Sequence, residues 1–354
     1  MTETAAAETD RFAAFRRENP TTRIRTAARE LGTTEAALVA TGVDGEARPL
    51  RPDFDEILHA LEALGETMAL TRNDACVHEK TGVYAPAHTG LTHRMAQVLG
   101  EDIDLRLFFG RWRFAYAVAA PWGNGRDGLR RSLQFFDAHG DAVHKVFATR
   151  KTDEGAFLAL VERFADPDAG PPETEPRPEP QPERPDAEVD QSALLDDWAA
   201  LRDTHDFFQL LGKHGVARTQ ALRLAEGRFA ERVSPDALRQ SLEAVAEAEV
   251  PVMVFVGNRG CVQIHTGPVR KLVERDGWYN VLDPGFNLHL DESQVAESWI
   301  VVKPTDDGDV TALELYDSAG APVVQLFGER KPGRAERPEW RAVLNGLPRA
   351  EAVA

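Results

Sequence analysis

NDACVHEKTG, residues 73–82, and NRGCVQIHTG, residues 258–267, are two versions of one segment. Asn73, Cys76, Val77, Thr81 and Gly82 recur as Asn258, Cys261, Val262, Thr266 and Gly267, each 185 positions later. Met68 recurs as Met253 at the same spacing. Farther along, Leu105 and Val118 match Leu288 and Val301 at a spacing of 183, and DAHG at 137–140 matches DSAG at 317–320 at a spacing of 180. A spacing that shrinks slowly is what small loop deletions leave behind. The period is several times that of a solenoid repeat, so the pattern predicts tandem duplication of a domain of roughly 160 residues. Two copies of one scaffold can diverge, and positions where they differ in polar chemistry are the places to look for function.

The chain has 354 residues, 42% of them apolar, enough for two domains with a core each. Its formal net charge of −17 argues against wrapping a phosphate backbone, which takes clustered Lys and Arg. The N-terminal MTETAAAETDRF is polar and acidic without an apolar signal core. No apolar run approaches the roughly 20 residues that span a bilayer, and a cytoplasmic location is expected. Cys76 and Cys261 occupy equivalent places in the copies and read as matching core thiols.

The pattern divides the chain into an N-terminal repeat over 11–165, a Pro- and acid-rich linker over 166–190 and a C-terminal repeat over 191–350. The linker, DPDAGPPETEPRPEPQPERPDAE at 166–188, has no apolar anchors and reads as extended and semi-rigid. Each repeat opens with a helical segment, 12 to about 43 and 194 to about 233. Leu194, Trp198 and Leu201 there follow the 3–4 spacing of an amphipathic helix. A second helix is expected over 54–64 and 236–248. Strand-like runs follow. Ile103, Leu105 and Leu107 share one face, with Asp104, Arg106 and Phe108 on the other, and Trp112, Phe114, Tyr116 and Val118 alternate likewise. The two Asp-x-x-Gly tetrads lie between such runs and read as hairpin turns. The fold class is therefore α+β, a tandem duplication in which each half is a large, mainly antiparallel sheet with packed helices.

Aligning Phe12 with Trp198 places Asn19 opposite His205, in LRDTHDFF at 201–208. If the preceding helix continues, the imidazole faces its apolar side; if Asp203 caps a new helix, His205 sits in the first turn. A neutral imidazole among apolar neighbours suits an axial ligand to haem iron, and equally a core histidine bonded to backbone. Arg106 and His289 occupy one place in the two copies. Arg106 could aim into a cavity at a carboxylate or bound dioxygen, or pair with Asp104 at the surface. Trp299, Val301 and Lys303 share a strand face, as do Val323, Gln325 and Phe327; Arg330 and Lys331 follow, and Arg218 stands in GVAR at 215–218. Cations rimming an apolar cleft suit a planar ligand with two propionates, and each also reads as ordinary solvated surface.

Other motifs are weak. His78-Glu79-Lys80 lacks the second histidine of a zinc-protease helix. Without Cys-x-x-Cys-His, haem would not be covalently attached. GNGRDG at 123–128 has dinucleotide-loop spacing, but it leads into the turn at Asp137 and reads as a flexible loop. Residues 27–36 and 211–224 have helix-turn-helix rhythm, which keeps a DNA-binding reading open against an unfavourable charge.

Seven runs, in order, carry a resemblance: TRN at 71–73, VHEKTG at 77–82, DLRLF at 104–108, DTHDFF at 203–208, QIHTG at 263–267, GWYNVLDP at 277–284 and FGER at 327–330. Over about 12 to 347 the chain resembles the bacterial HemS/HmuS/ChuS/PhuS-type haem-utilisation proteins, often called hemin-degrading factors. The resemblance implies two similar α+β halves and one b-type haem, held non-covalently in a cleft formed mainly by the C-terminal half. It implies His205 as the proximal iron ligand and Arg106 as a distal arginine from the N-terminal half. Arg218, Lys303, Gln325, Phe327 and Arg330 fall where the family contacts the haem and its propionates, and Phe255 where an aromatic packs on the ring. Phe327 stands where some members carry Tyr, and the linker is long for the family. His78 would serve a secondary haem site, though Gln263 takes its place in the second copy. The implied function is haem binding and trafficking in haem uptake and iron acquisition, with an inner-membrane importer and a haem oxygenase or reductase as partners. The rival is an enzyme that opens the porphyrin with external electrons; no catalytic residue is assigned.

Overall fold

The computed structural model describes residues 3–90, 94–179, 182–330 and 333–350. The first repeat runs α1 (Glu3–Glu18), α2 (Ile24–Leu31), α3 (Glu35–Ala40), β1 (Glu46–Leu50), α4 (Phe54–Ala60), β2 (Gly65–Arg72), β3 (Cys76–Val83), β4 (Ala87–Thr89), β5 (Ala96–Leu99), β6 (Asp104–Leu107), β7 (Trp112–Arg126), β8 (Leu129–Asp137), β9 (Ala142–Thr152) and α5 (Glu154–Phe164). The second runs α6 (Gln191–Ala199), α7 (Phe207–His214), α8 (Arg218–Leu224), β10 (Ala230–Val233), α9 (Ala237–Glu247), β11 (Val252–Gly257), β12 (Cys261–Gly267), β13 (Leu272–Arg275), β14 (Trp278–Asp283), β15 (Phe286–Leu290), β16 (Glu297–Lys303), β17 (Val310–Tyr316), β18 (Pro322–Gly328) and α10 (Pro338–Asn345). From β1 to α5 every element has its counterpart in β10 to α10, in order. No described helix is long and apolar enough to cross a membrane.

Two nine-stranded antiparallel sheets result. One has the order β1-β7-β8-β9-β2-β3-β15-β14-β13, the other β10-β16-β17-β18-β11-β12-β6-β5-β4. The second order is the first with each strand replaced by its counterpart. The α+β duplication is thus as the repeats predict. The opening helical segments, however, are broken: a left-handed glycine, Gly32 (φ 63°) or Gly215 (φ 59°), closes α2 and α7 and turns the chain before the next helix. The helix expected over 236–248 is α9, and the one over 54–64 is α4 extended by a 3-10 turn at Leu61–Leu64.

Ile103, Leu105 and Leu107 are fully buried, as their alternation requires. On β7, Ala115 and Ala117 are buried as well as Trp112, Tyr116 and Val118, so that strand is covered on both faces. Each Asp-x-x-Gly tetrad is a hairpin turn. Asp137 Oδ1 accepts from the N–H groups of His139 and Asp141, and Asp317 Oδ1 from those of Ala319 and Ala321. Gly140 (φ 77°) and Gly320 (φ 73°) supply the left-handed step.

Two compact units divide the chain: Met1–Arg72 with Glu79–Pro178 and Asn258–Gln263, and Asn73–His78 with Glu179–Gly257 and Ile264–Ala354. The start of each repeated segment therefore belongs with the unit of the other repeat. Within the first unit, Asn258 Nδ2 donates to the carbonyls of Arg72 and Val143, both at 2.9 Å, while its Oδ1 accepts from the N–H groups of Gly260 and Cys261. Within the second, Asn73 Nδ2 donates to the carbonyls of Gly257 (3.2 Å) and Val323 (2.8 Å), and its Oδ1 accepts from Ala75 and Cys76. One amide side chain satisfies four backbone groups at each turn, which is why Asn recurs there. Cys76 and Cys261 are buried and form no disulfide with each other.

The described residues of the linker are mostly extended and are tied down. Glu175 N–H donates to the Ala138 carbonyl and Arg177 pairs with Asp141 on the first unit; Glu183 and Asp186 pair with Arg223 on the second.

Candidate functional site

α7 is entered through a 3-10 turn at Thr204–Asp206, and Asp203 caps it. One carboxylate oxygen of Asp203 accepts from the His205 backbone N–H at 2.8 Å and lies 2.6 Å from His205 Nδ1. The first of these bonds, then the ring contact and the charge of Arg330, hold the Asp203 carboxyl below its ordinary range. With Nδ1 carrying the proton toward Asp203, Nε2 keeps its lone pair. The His205 side chain is 90% exposed and Phe208 is 71% exposed. The preceding helix does not continue, so His205 is in a capped first turn and is no core histidine. α2 starts at Ile24 as α7 starts at Phe207, which puts Thr22, not Asn19, opposite His205; the first repeat offers no imidazole there.

Behind this turn lies a buried charge cluster. Arg218, first residue of α8, donates to Glu314 Oε1 at 2.7 Å and Oε2 at 2.8 Å, and to the Tyr316 hydroxyl at 2.7 Å. Lys303 Nζ donates to Glu314 Oε1 at 2.6 Å, and Tyr316 donates to Glu314 Oε2. Burial would raise the Glu314 pKa, but Arg218 and Lys303 win and hold it far below the ordinary range. For Lys303 burial wins, helped by Arg218, and its pKa falls to about 8 despite Glu314. The Arg218 guanidinium lies 5.1 Å and Lys303 Nζ 4.8 Å from the Phe207 ring centre, and Arg218 also stands 5.7 Å from Phe208. Arg218 and Lys303, expected at a solvated rim, are thus turned inward to Glu314.

The strand register puts the remaining candidates on the same sheet face. Trp299 pairs with Glu314, Glu314 with Gln325, Gln325 with Phe255, and Phe327 with Met253. The Trp299 end of this face is covered by Trp198, Phe207, Leu211 and Leu222. Farther along, Met253, Phe255, Gln325 and Phe327 are only half-buried, and the Phe255 and Phe327 rings meet edge-on at 5.0 Å. His205, Arg218, Phe255, Lys303, Gln325, Phe327 and Arg330 all lie in the second unit. Lys331 lies outside the described residues. Arg106 lies in the first unit, on β6, bonded to Asp104 and to the Leu105 carbonyl, with its side chain 32% exposed.

Sequence reasoning misses Glu314 and Tyr316. Their signal is an acid on one face of VTALELY, a strand otherwise without charge. The first repeat has Gln134 and Phe136 at the positions 180 earlier and inverts the arrangement. Glu35, first residue of α3, takes the place of Arg218, and Lys145 that of Gln325, and the two form a buried pair. His78 is fully buried on β3, its ring 5.0 Å from that of Phe286, which leaves no open face for a secondary haem. His289 Nδ1 lies 2.6 Å from Asn280 Oδ1. Both helix-turn-helix elements exist, but the second helix of each packs inward, through Ala36, Leu38 and Val39 or through Gln220, Ala221 and Leu222. GNGRDG, read as a loop, forms the irregular end of β7 and a tight turn, with Asp127 and Gly128 at φ 51° and 77°.

The chain is 39% identical over 325 residues to the hemin transport protein HemS of Yersinia enterocolitica, covering 92% of each. It is similar to holo-PhuS, a heme-binding protein from Pseudomonas aeruginosa, at 46% identity and a TM-score of 0.93 over 98% of this chain and 99% of that one. The Escherichia coli O157:H7 heme degrading enzyme ChuS matches at 37% identity and a TM-score of 0.89 over 97% and 99%. The model of the haemin-degrading HemS.ChuX domain matches twice, over residues 32–164 and 215–347. The chain therefore belongs to the haemin-degrading HemS.ChuX family and carries its domain in duplicate.

Proposed function

We propose that this chain binds one b-type haem non-covalently through His205 and delivers it within the cytoplasm during haem uptake. The observation that carries the reading is the exposed His205 imidazole, backed by Asp203 and set in the unit that presents the half-open Phe255–Phe327 face. These residues fit the group. An imidazole whose Nδ1 is occupied offers Nε2 to iron, and an aromatic face offers a flat apolar ligand most of its affinity. Two cations against one carboxylate leave Arg218, Lys303 and Glu314 a surplus positive charge, which favours the ligand's propionates. Arg330, close enough for its charge to act on Asp203, adds to it. Arg106 and Gln325 enter the proposal on the family pattern, and Phe327 serves it without the hydroxyl some members carry there. Bound haem would supply the redox and oxygen chemistry; the chain's own side chains hold and orient it. An importer at the inner membrane and an acceptor such as a haem oxygenase are the partners this implies.

The test is a hemin titration of wild type and His205→Ala, read at the Soret band. One-to-one binding that is lost or spectrally altered in the variant supports the reading; identical spectra sink it. A second reading, haem degradation, has in its favour the similarity to ChuS, described as a heme degrading enzyme. Adding reductant with catalase to the complex separates the two: delivery leaves the Soret band, degradation bleaches it.

A further inference from the structure

The first unit contains a cleft of about 500 Å³ at the turn end of the β7–β8 hairpin, with Trp122, Leu129 and Phe157 as its apolar walls, Arg130, Arg131 and Arg150 as its cations and Glu154 as an acid. Arg131 is occupied by Asp127 at 2.8 Å and Glu154 at 3.1 Å. Arg130 is not. Its guanidinium lies 5.1 Å from the Trp122 ring centre and 4.0 Å from that of Phe147, and among the described residues it makes no hydrogen bond or ion pair. Burial pulls its pKa down, and the charge of Glu79 only partly offsets this. A guanidinium has five N–H donors, and those of Arg130 are open to an acceptor that enters the cleft. Arg150 is a further cation of the cleft, on a chain of net charge −17. Trp122 is 49% exposed, with the Arg130 guanidinium over its ring.

We infer that this cleft binds a small aromatic oxyanion, its acid group on Arg130 and its ring against Trp122 and Leu129. A planar carboxylate or a phosphate accepts from the guanidinium fork, while the walls desolvate the ring. The volume is in the range of small-molecule sites and far exceeds what a bare anion needs. The inference does not depend on the haem reading, because none of these residues belongs to the His205 site.

The six Trp indoles give a small, resolvable set of ¹H–¹⁵N signals, and Trp122→Phe identifies that of Trp122. The full chain is titrated with phenyl phosphate, benzoate and inorganic phosphate. A saturable shift of the Trp122 signal with phenyl phosphate or benzoate is expected, and which of the two binds tighter names the head group. Arg130→Gln should weaken it about tenfold or more, and Arg130→Lys should restore part of the loss. Unshifted signals of Trp112 and the other four indoles in both variants show that they are folded. No saturable shift, or equal affinity in Arg130→Gln, overturns the site. Inorganic phosphate binding as tightly as phenyl phosphate overturns the assignment to an aromatic ligand.

Discussion

Replacing Glu314 by Gln keeps the shape of the buried cluster and removes the one negative charge that Arg218, Lys303 and Tyr316 share. Glu314 is fully buried and Lys303 is 3% exposed, so solvent screens little of the loss. Removing one partner of a buried ion pair costs about 3–5 kcal/mol, because the other is left uncompensated. Lys303 can escape part of that by releasing its proton, since its pKa is already down at about 8. Arg218 cannot. The expected loss at pH 7 is therefore near the lower bound, about 3 kcal/mol, or about 6–12 °C in the melting midpoint of a domain of this size. Urea unfolding followed by tryptophan fluorescence reports it, since Trp198 and Trp299 are buried on this face. pH supplies a second arm. The folded pKa of Lys303 lies below the ordinary value of about 10.4, so between these values the unfolded chain holds a proton the folded one has lost. Wild-type stability should rise with pH across that window at up to about 1.4 kcal/mol per unit, and Lys303→Met should abolish the rise. A Glu314→Gln protein with a native spectrum and stability within about 0.5 kcal/mol of wild type would refute the reasoning, for that is the range of an ordinary surface substitution.

Asp203→Asn, which weakens the hydrogen bond at Nδ1 of His205, should lower hemin affinity about 10- to 100-fold; an unchanged Soret titration would show that Asp203 only caps the helix. In the first unit, His144 is buried between the Thr71 and Tyr84 hydroxyls at 2.9 and 2.7 Å, and burial lowers its pKa to about 3. The unfolded chain takes up that proton near pH 6.5, so stability should fall as pH drops from about 6.5 toward 3, at up to about 1.4 kcal/mol per unit. Comparing acid unfolding of wild type and His144→Gln checks this; equal slopes would exclude it. A Cβ on Gly140 would lie 2.5 Å from Thr34 Oγ1 and 2.9 Å from Thr174 Cγ2, whereas one on Gly320 meets nothing nearer than Thr219 at 3.0 Å. Both positions have positive φ and should cost about 1–2 kcal/mol as Ala, with the added clash making Gly140→Ala the worse; thermal melts showing the reverse order would contradict the packing.

Much of the candidate site could be found in the sequence because it is carried by short runs. DTHDFF offers both a cap and an imidazole, and a period of 2 is enough to place Gln325 and Phe327 on one strand face, whereas Val323 stands at a shift in the β17–β18 register. Three features could not be read that way. The exposure of His205 turned on whether the helix after Trp198 stops, and that depends on the Asp203 bond to the following backbone. Arg218 and Lys303 looked like solvated cations because their partner, Glu314, is 96 and 11 residues away. His78 looked available for a ligand, and only the packing around β3 shows it buried.

By itself the sequence determined that the protein is a duplicated α+β chain, where its hairpins turn and which strand faces are apolar. These are consequences of local conformational preference and of a side-chain period of 2 or 3.6. The tertiary structure alone decided which unit each repeated segment joins: residues 258–263 go with the first and 73–78 with the second. It also decided where the charges of the site are spent. The backbone hydrogen bonds that pair strands are nearly the same for any sequence, so periodicity can say that a segment is a strand but not which neighbour it takes. A buried charge likewise acquires its partner, and its pKa, only when distant strands and helices close around it.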